Sequence, residues 1–427
     1  MCVMSPPMKG SPPHPPRIRL PLRLRAPLCL RVPLRLRVPG SRLFKPRVIL
    51  LIIFISRLDL KIRPRVFLLR VCIRPFILIY KYYLMATKRQ YGQYYSTNCG
   101  TIFKNMTLPP EPINVIEPFA GKGHIVDYIK SISNHSVETY DIEPKYEGCI
   151  ERDTLSNPPS YKGKFVVTNP PFLARNKSDS KTLYDKYKTN DLYKCFLETL
   201  IHDKCQGGMI ILPINFITSI RKNDVNLRKR FMAVYKIIQV NLFEERMFKD
   251  TTYSICSIFF TGLPDDSNNI HITIYPNDKE INVTLTDENN YTIGGELYNL
   301  PHNPKYKISR AVSTTQEKTT NIMVKCIDDT VTNQLGFKIT PTDKLFVDSS
   351  KNHTRRSYAT LVINRDLTMK QQRYLVAKAN EFIRVNREKY HSLFLSNFRD
   401  NTSIARKRIT FTLIFSICNF ILSDMFG

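Results

Sequence analysis

Residues 113–172 alternate short apolar strands with a helical pattern, and this alternation constrains the fold more than any other feature of the sequence. Asn114–Ile116, Val137–Tyr140 and Lys164–Thr168 have the length and apolar content of buried strands. Between the first two, apolar residues recur at helical spacing from His124 to Ile132. Because strands that alternate with helices form mostly parallel sheets, the pattern predicts an α/β fold with a doubly wound sheet.

Candidate ligand-binding residues follow these strands. Glu117–Gly123 places two glycines between the first strand and the helix, where backbone amides can bind a ligand, although the spacing is not that of a GxGxxG turn. Asp141 ends the second strand about 20 residues further on, where an acid can accept both hydroxyls of a ribose. Asp153 follows another short β-like stretch. An acid at position 141 is equally consistent with a surface residue that caps a turn.

The fourth strand ends in Asn169-Pro170-Pro171-Phe172, which predicts a stiff loop. The two prolines fix two φ angles and remove two backbone donors, so the Asn169 side chain and the Pro170 carbonyl can both face outward as acceptors. Phe172 supplies a flat apolar face beside them. Acceptors for an amino group next to a stacking surface suit an unstacked base. Taken alone, the tetrapeptide is also consistent with an ordinary strand-ending turn and a core Phe.

The motifs in their order resemble those of amino-group DNA methyltransferases that use S-adenosylmethionine. EPFAGKG at 117–123, YDIEP at 140–144, RDTL at 152–155 and VVTNPPF at 166–172 carry the resemblance, which extends over residues 91–262. Upstream, Tyr91–Thr97 resembles the N-terminal cofactor motif of the family, and this order matches the gamma arrangement of N6-adenine methyltransferases of the restriction-modification type. Gly207–Phe216 resembles the strand after the catalytic motif, and Phe248–Tyr253 together with Ile255–Phe260 resembles the closing hairpin. The resemblance implies a Rossmann-like methyltransferase domain.

The resemblance also implies roles for individual residues. Tyr95 and Ser96 would contact the methionine part of the cofactor, Glu117, Phe119, Ala120 and Gly121 would line its methionine and sulfonium, Asp141 would accept the ribose hydroxyls, and Asp153 the adenine amino group. The catalytic residues would be Asn169, Pro170, Pro171 and Phe172. The target adenine would be swung out of the helix, its amino hydrogens accepted by Asn169 and Pro170 and its ring stacked on Phe172. The reaction would need no metal and no general base before attack.

Several other functions stay open. The acceptor could instead be the N4 amino group of cytosine, an adenine in RNA or a glutamine amide in a protein. The chain could also be a catalytically idle DNA-binding module, although the presence of Asn169, Asp141 and Asp153 together argues against that. A fused nuclease is not supported, because no strand carries an acidic pair with a lysine. No Pro-Cys pair is placed for a covalent attack on cytosine.

The first 84 residues differ in composition from the rest of the chain. The 427 residues have a net charge of +28, and residues 1–84 contribute 18 Lys/Arg against a single acid, Asp59. Proline and arginine recur there every six residues, which forbids a continuous helix and indicates translated repetitive nucleic acid or a low-complexity tail. A transit peptide would need an amphipathic helix that the prolines disfavour. The segment is expected to be disordered, with Met85 as the functional start.

The body of the chain is moderately basic, which fits a polyanionic partner. Ten cysteines without a CxxC pair or a His cluster predict a reducing compartment, no disulfide framework and no metal site. We expect a soluble, intracellular monomer that binds double-stranded DNA and no membrane, with a cognate restriction endonuclease as a further partner.

The C-terminal half changes to short β-like runs and two helical patterns. The expected division is a methyltransferase domain at 85–263 and a smaller α+β target-recognition domain at 264–427. Strands are predicted at 270–275, 322–327 and 359–363, a helix at 366–390, and a buried core helix at 409–422, too short for a membrane anchor. Lys351–Tyr358 is a candidate DNA contact or a solvated charged loop, and Arg406–Arg408 could meet backbone phosphate.

Overall fold

The computed structural model describes residues 96–110, 113–245, 247–248, 254–262, 268–328, 334–398 (backbone only at 397 and 398) and 406–427. All of them belong to one compact unit, Pro75–Gly427. The predictions for residues 1–84, for Tyr91–Tyr95 and for most of the segment between Phe248 and Tyr253 lie outside the described residues.

In the described part of the chain, the larger sheet has nine strands and confirms the predicted doubly wound, mostly parallel Rossmann-like fold. Its strands are β1 (Asn114–Glu117), β2 (Val137–Asp141), β3 (Ile150–Glu151), β4 (Lys164–Thr168), β5 (Gly207–Pro213), β6 (Lys236–Phe243), β7 (Ile255–Thr261), β8 (Asn269–Tyr275) and β9 (Lys279–Thr284). They are ordered β3-β2-β1-β4-β5-β7-β6-β8-β9. The first five in this order pair in parallel, whereas β7 is antiparallel to both its neighbours and β9 is antiparallel to β8.

Helices connect and cover these strands. They are α1 (Cys99–Ile102), α2 (His124–Ile132), α3 (Thr182–Lys186), α4 (Leu192–His202), α5 (Asn215–Thr218) and α6 (Lys222–Met232). The predicted helix at 124–132 is confirmed, and it buries Ile125, Val126 and Ile129. All seven residues of β5 are buried, as expected for a central strand covered on both faces.

The strand order reverses beside β1. From β1 the chain moves outward through β2 and β3, then crosses to the other side of β1 to form β4 and β5. Val115 pairs with Val137 of β2 on one side and with Phe165 of β4 on the other. In open α/β sheets a ligand crevice forms at such a reversal, outside the carboxyl ends of the strands. This edge therefore holds the candidate site.

A second, four-stranded antiparallel sheet follows in the C-terminal part. Its strands are β10 (Ile308–Arg310), β11 (Thr319–Lys325), β12 (Gly336–Ile339) and β13 (Tyr358–Ile363), in the order β10-β13-β11-β12. Two helices, α7 (Met369–Tyr390) and α8 (Phe411–Phe426), pack together near it, and β14 (Ser396–Phe398) pairs with β15 (Arg406–Arg408). The strands predicted at 270–275, 322–327 and 359–363 are confirmed, with β11 ending two residues early. The predicted helices are also confirmed, and Thr368 and Gln371 begin α7 with a capping box.

The expected domain division at residues 263 and 264 stays a prediction. The two strands that follow it, β8 and β9, hydrogen-bond to the larger sheet, and β8 pairs in parallel with β6. Helix α8 buries Leu413, Ile417 and Leu422 in the core. Within the described ranges, no helix combines the length and the apolar content that crossing a bilayer requires.

Arg228 ties the segment after β9 to helices α5 and α6. Its side chain is completely buried in α6. The guanidinium donates to the carbonyl oxygens of Phe216 (2.6 Å) and Ser219 (2.9 Å) on its own side. It also donates to the carbonyl oxygen of Tyr291 and to the hydroxyl of Thr292 beyond β9. Several acceptors around one buried cation form a well-satisfied junction.

Candidate active site

A cavity of about 350 Å³ opens at the carboxyl ends of β1, β2 and β4. Eight of the twelve residues implied by the family resemblance line it: Ser96, Phe119, Ala120, Gly121, Asp141, Asp153, Asn169 and Pro171. Tyr95 lies outside the described residues, and Glu117, Pro170 and Phe172 lie behind the wall. The volume of the cavity is within the range of small-molecule sites.

Glu117 is completely buried at the end of β1. Its Oε1 accepts hydrogen bonds from the Phe119 amide (3.0 Å) and from the hydroxyl of Thr168, the residue before Asn169. Its Oε2 accepts none from any residue that the structure describes. Burial raises the pKa of Glu117 to about 8. The carboxyl group thus links the turn after β1 to the end of β4 and keeps one oxygen available.

Asp141 closes the turn after β1 from the neighbouring strand. Its Oδ2 accepts from the Gly121 amide (2.8 Å), and its Oδ1 accepts from the Glu143 amide (2.7 Å). Gly121 has φ +53°, in the left-handed region that favours glycine. Burial raises the pKa of Asp141. This carboxylate therefore both shapes the turn and faces the cavity.

Asp153, like Asp141, both shapes a turn and faces the cavity. Its Oδ1 accepts from the amides of Leu155 and Ser156, each at 3.1 Å, and its Oδ2 accepts from the Ser156 hydroxyl at 2.6 Å. These bonds fix a turn beside the cavity, and the next residue, Thr154, donates its hydroxyl to the carbonyl oxygen of Pro118 (3.1 Å). The segment after β3 is thereby fastened to the turn after β1.

Asn169 is 9% exposed and lines the cavity from the end of β4. Its Nδ2 donates to the hydroxyl oxygen of Ser96 at 3.0 Å, which fixes the orientation of the amide group. Ser96 is itself buried, and its carbonyl oxygen accepts from the thiol of Cys99 at 3.2 Å. Residues 96 and 169, which are far apart in the sequence, thus meet in space.

Phe172 packs into the core behind the cavity. Its ring is 3% exposed and meets the Tyr193 ring edge-on, with centroids 6.0 Å apart and an interplanar angle of 83°. Pro170 is also buried. The stacking of Phe172 on a target base stays a prediction.

Three residues that the sequence interpretation missed hold the loop after Phe172. The Leu173 amide donates to Asp191 Oδ1 (3.1 Å), while the Leu173 carbonyl oxygen accepts from the Tyr184 hydroxyl (2.9 Å) and the Leu192 amide (3.2 Å). Burial raises the pKa of Asp191 to about 6. An acid directly before an apolar helical run is a helix-start signal that marks Asp191 in the sequence. Its contact with Leu173 has no local sequence signal.

Other missed residues complete the cavity wall. Ser178, Ser180, Leu183 and Leu192 line the side next to the loop. His124, which the sequence placed at the start of a helix, is the first residue of α2 and also faces the cavity.

The comparison with known proteins identifies no sequence relative. No family model matches the chain, and no curated protein matches it.

Structural likenesses are distant. One is the modification subunit of a type I restriction enzyme from Vibrio vulnificus, with 12% identity, 48% of this chain and 53% of that chain covered, and a TM-score of 0.34. A type I restriction-modification methyltransferase subunit from Streptococcus thermophilus has 13% identity, coverages of 45% and 50%, and a TM-score of 0.33. A class I S-adenosylmethionine-dependent methyltransferase from Listeria monocytogenes has 10% identity, coverages of 41% and 61%, and a TM-score of 0.31. The chain spans about half the length of the first two. With TM-scores below 0.5, these likenesses carry no functional conclusion, and the fold rests on the strand order described above.

Proposed function

We propose that the chain is an S-adenosylmethionine-dependent DNA methyltransferase that methylates the N6 amino group of a flipped adenine in a specific double-stranded sequence. One observation carries the proposal. A single cavity brings together the Asn169 loop, the turn after β1 and the two strand-end acids Asp141 and Asp153. The motifs that carry the family resemblance thus lie together in space, at the sheet edge where such folds bind ligands.

The chemistry of the cavity fits a cationic cofactor. Glu117, behind the cavity wall, has a buried oxygen that no described residue engages, and Asp141 and Asp153 line the cavity. Buried carboxyl groups without a cation are costly, whereas a ligand with positive charge would compensate them. Bound S-adenosylmethionine supplies a methyl group activated by its sulfonium. Glu117 and the 119–121 turn would hold its methionine and sulfonium part, Asp141 its ribose and Asp153 its adenine, with Tyr95 and Ser96 against the methionine.

The residues of the Asn169 loop would position the acceptor. The side-chain oxygen of Asn169 and the carbonyl oxygen of Pro170 would accept the two amino hydrogens of the target base. This draws the nitrogen lone pair out of conjugation and toward the methyl group. Pro171 stiffens the loop, and Phe172 would support the base. Catalysis would then consist mainly of positioning, exclusion of water and electrostatic stabilisation.

The proposal extends to the rest of the molecule. Residues 264–427 would read the target sequence, and a restriction endonuclease of the same specificity would be the cognate partner of a monomeric enzyme. Cytosine N4, RNA adenine and protein glutamine are the competing acceptors.

The test is a transfer assay on the full chain. The protein is incubated with methyl-labelled S-adenosylmethionine and either unmethylated genomic DNA, double-stranded RNA or a protein mixture, and the DNA is digested to identify the modified base. We expect label in N6-methyladenine. Asn169→Ala should reduce transfer about 100-fold or more, as loss of one preorganised catalytic hydrogen bond does elsewhere.

Asn176→Ala is the matched control, because Asn176 is an exposed asparagine seven residues further along the chain. It should retain full transfer. Label in cytosine, in RNA or in protein, or full activity of Asn169→Ala, would reject the proposal.

A further inference from the structure

The ribbon formed by β14 and β15 lies at the carboxyl edge of the larger sheet. The Lys407 ammonium is 3.0 Å from Oε1 of Glu244, the first residue after β6. On the other strand of the ribbon, β14 packs against α5, which follows the carboxyl end of β5. Because β5 neighbours β4, and the cavity lies at the carboxyl end of β4, ribbon and cavity share one edge of the sheet.

The ribbon presents two arginines beside this edge. Side chains alternate along a strand, so Arg406 and Arg408 point away from the face on which Lys407 meets Glu244. Both are half-exposed. The backbone of Cys326 joins the segments that carry Arg356 and Arg408, because its amide donates to the carbonyl oxygen of Ser357 (2.8 Å) and its carbonyl oxygen accepts from the Ile409 amide (3.0 Å). Two basic segments about 50 residues apart in the sequence therefore meet in space.

The segment that carries Arg356 is held in one conformation by a buried ion pair. Asp348 is completely buried, and its Oδ2 accepts from Arg310 Nη1 at 3.0 Å and from the Arg355 amide at 3.1 Å. Arg310 also donates to the carbonyl oxygens of His353 and, at 2.8 Å, of Arg355. Its guanidinium lies 4.4 Å from the centre of the Phe411 ring at the start of α8. The loop is thus preorganised rather than loosely solvated.

The cations of this loop lack acidic partners. Lys351, Arg355 and Arg356 are exposed, and none forms an ion pair with a carboxylate in the part of the chain that the structure describes. Residues 349–358 contain no acidic side chain. Holding like charges together in a fixed loop is unfavourable unless a polyanion compensates them.

We propose that Lys351, Arg355, Arg356, Arg406 and Arg408 form one basic surface that binds the phosphate backbone of duplex DNA beside the cavity. The inference rests on the proposed function, in which duplex DNA is the substrate. It adds the position of the DNA backbone on the protein surface. Arg310 and Asp348 act as positioning residues that fix the loop, while Lys407 fixes the ribbon through Glu244. Contacts of this kind set register and orientation and carry no sequence information.

Binding to phosphate can be measured without knowing the recognition sequence, because nonspecific affinity is electrostatic and salt-dependent. We would measure the affinity of the full chain for a labelled mixed-sequence duplex of about 40 base pairs by fluorescence anisotropy at several salt concentrations. Neutralising the loop with Arg355→Gln/Arg356→Gln should weaken binding and reduce the slope of log affinity against log salt by about one to two. Arg408→Gln should reduce it by about one, with the melting temperature recorded for each protein.

The matched control is Lys370→Gln/Arg373→Gln, which removes two exposed charges from α7. It should leave the slope unchanged. An unchanged slope in the loop variant, an equal change in the control, or a loss confined to double-stranded RNA would overturn the surface.

The methyl-transfer assay run in parallel separates the two proposals. Methyl transfer to DNA together with unaltered binding by the loop variant rejects only the surface. Salt-dependent duplex binding that the loop variant loses, without any methyl transfer, supports the surface and rejects the proposed reaction.

Discussion

Glu117 shows how a single buried group can couple the fold to the proposed cofactor. Its Oε1 ties the turn after β1 to Thr168, and its Oε2 is unengaged by any described residue. The nearby titratable groups are Asp141 and the Cys99 and Cys149 thiols, whose pKa values burial raises as well. All of these environments favour neutral groups. A bound cation would favour the ionised Glu117.

The elevated pKa of Glu117 predicts a dependence of stability on pH. Because the pKa rises from an ordinary value of 4.5 to about 8, the folded chain holds a proton that the unfolded chain releases between these pH values. The contribution of Glu117 to stability is therefore greatest below about pH 4.5 and declines as the pH rises toward 8, by an amount on the order of a few kcal/mol. Glu117→Gln, which cannot ionise, should flatten the fall of melting temperature between pH 5 and pH 8.

Glu147→Gln is the control for this measurement, because Glu147 is an exposed glutamate of the same part of the chain. Its melting temperature should follow that of the native protein across the range. Parallel curves for the native protein and Glu117→Gln would show that Glu117 ionises normally in the fold.

At the scale of elements, the loop after β4 depends on contacts with α3 and α4. Tyr184 in α3 and Asp191 before α4 hold the two backbone groups of Leu173, one residue beyond the Asn-Pro-Pro-Phe loop. The prolines stiffen the loop internally, and these contacts fix its far end. The stiff Asn-Pro-Pro-Phe loop and its contacts with α3 and α4 therefore both contribute to the position of Asn169.

Tyr184→Phe should slow methyl transfer by about five- to tenfold. It removes one hydrogen bond, worth about 1 kcal/mol, from the group that positions the loop. Tyr298→Phe is the matched control, because the Tyr298 hydroxyl also donates to a backbone carbonyl oxygen, that of Phe394, at the same distance of 2.9 Å. Single-turnover rates at saturating cofactor would measure the effect. Equal rates for the two variants would contradict a positioning role for Tyr184.

The elements near the cavity were predictable because their signals are local. Apolar runs gave β1, β2 and β4, and polar residues after such runs marked Asp141, Asp153 and Asn169. The other predicted lining residues came from the family resemblance. Three features were not predictable: the contacts of Leu173 with Tyr184 and Asp191, the pairing of β8 with β6, and the meeting of the segments that carry Arg356 and Arg408. Each of these contacts depends on tertiary packing between segments that are far apart in the sequence. Such packing produces no periodic pattern in the sequence of either segment.

At the scale of the whole molecule, Glu244 joins the larger sheet to the C-terminal part. Its Oε1 accepts from His391 Nε2 (3.1 Å), at the end of α7, and from the Lys407 ammonium (3.0 Å). The hydrogen bond from His391, together with the charge of Lys407, lowers the pKa of Glu244 to about 2, although burial opposes this. The folded state is therefore favoured above pH 4.5, and this contribution is lost as the pH falls from about 4.5 to 2.

Glu244→Gln should loosen β15 without disrupting the sheet. At neutral pH we expect faster hydrogen exchange at residues 406–408 and a loss of stability of about 1–3 kcal/mol, because the Lys407 ammonium and the His391 imidazole lose an ionised acceptor. Exchange in β1 and β4 should be unchanged. Glu245→Gln, at the exposed neighbouring position, is the control. Unaltered exchange at β15 in Glu244→Gln would mean that the ribbon is held by other contacts.

The buried Arg228 has a mechanical consequence. By binding carbonyl oxygens on both sides of the junction, it restrains the segment after β9 relative to helices α5 and α6. Closure of this segment around an intact helix would break these hydrogen bonds. If the chain acts on duplex DNA as proposed, we expect the nucleic acid to make the movement, so that the cost of opening the base pair falls on the DNA.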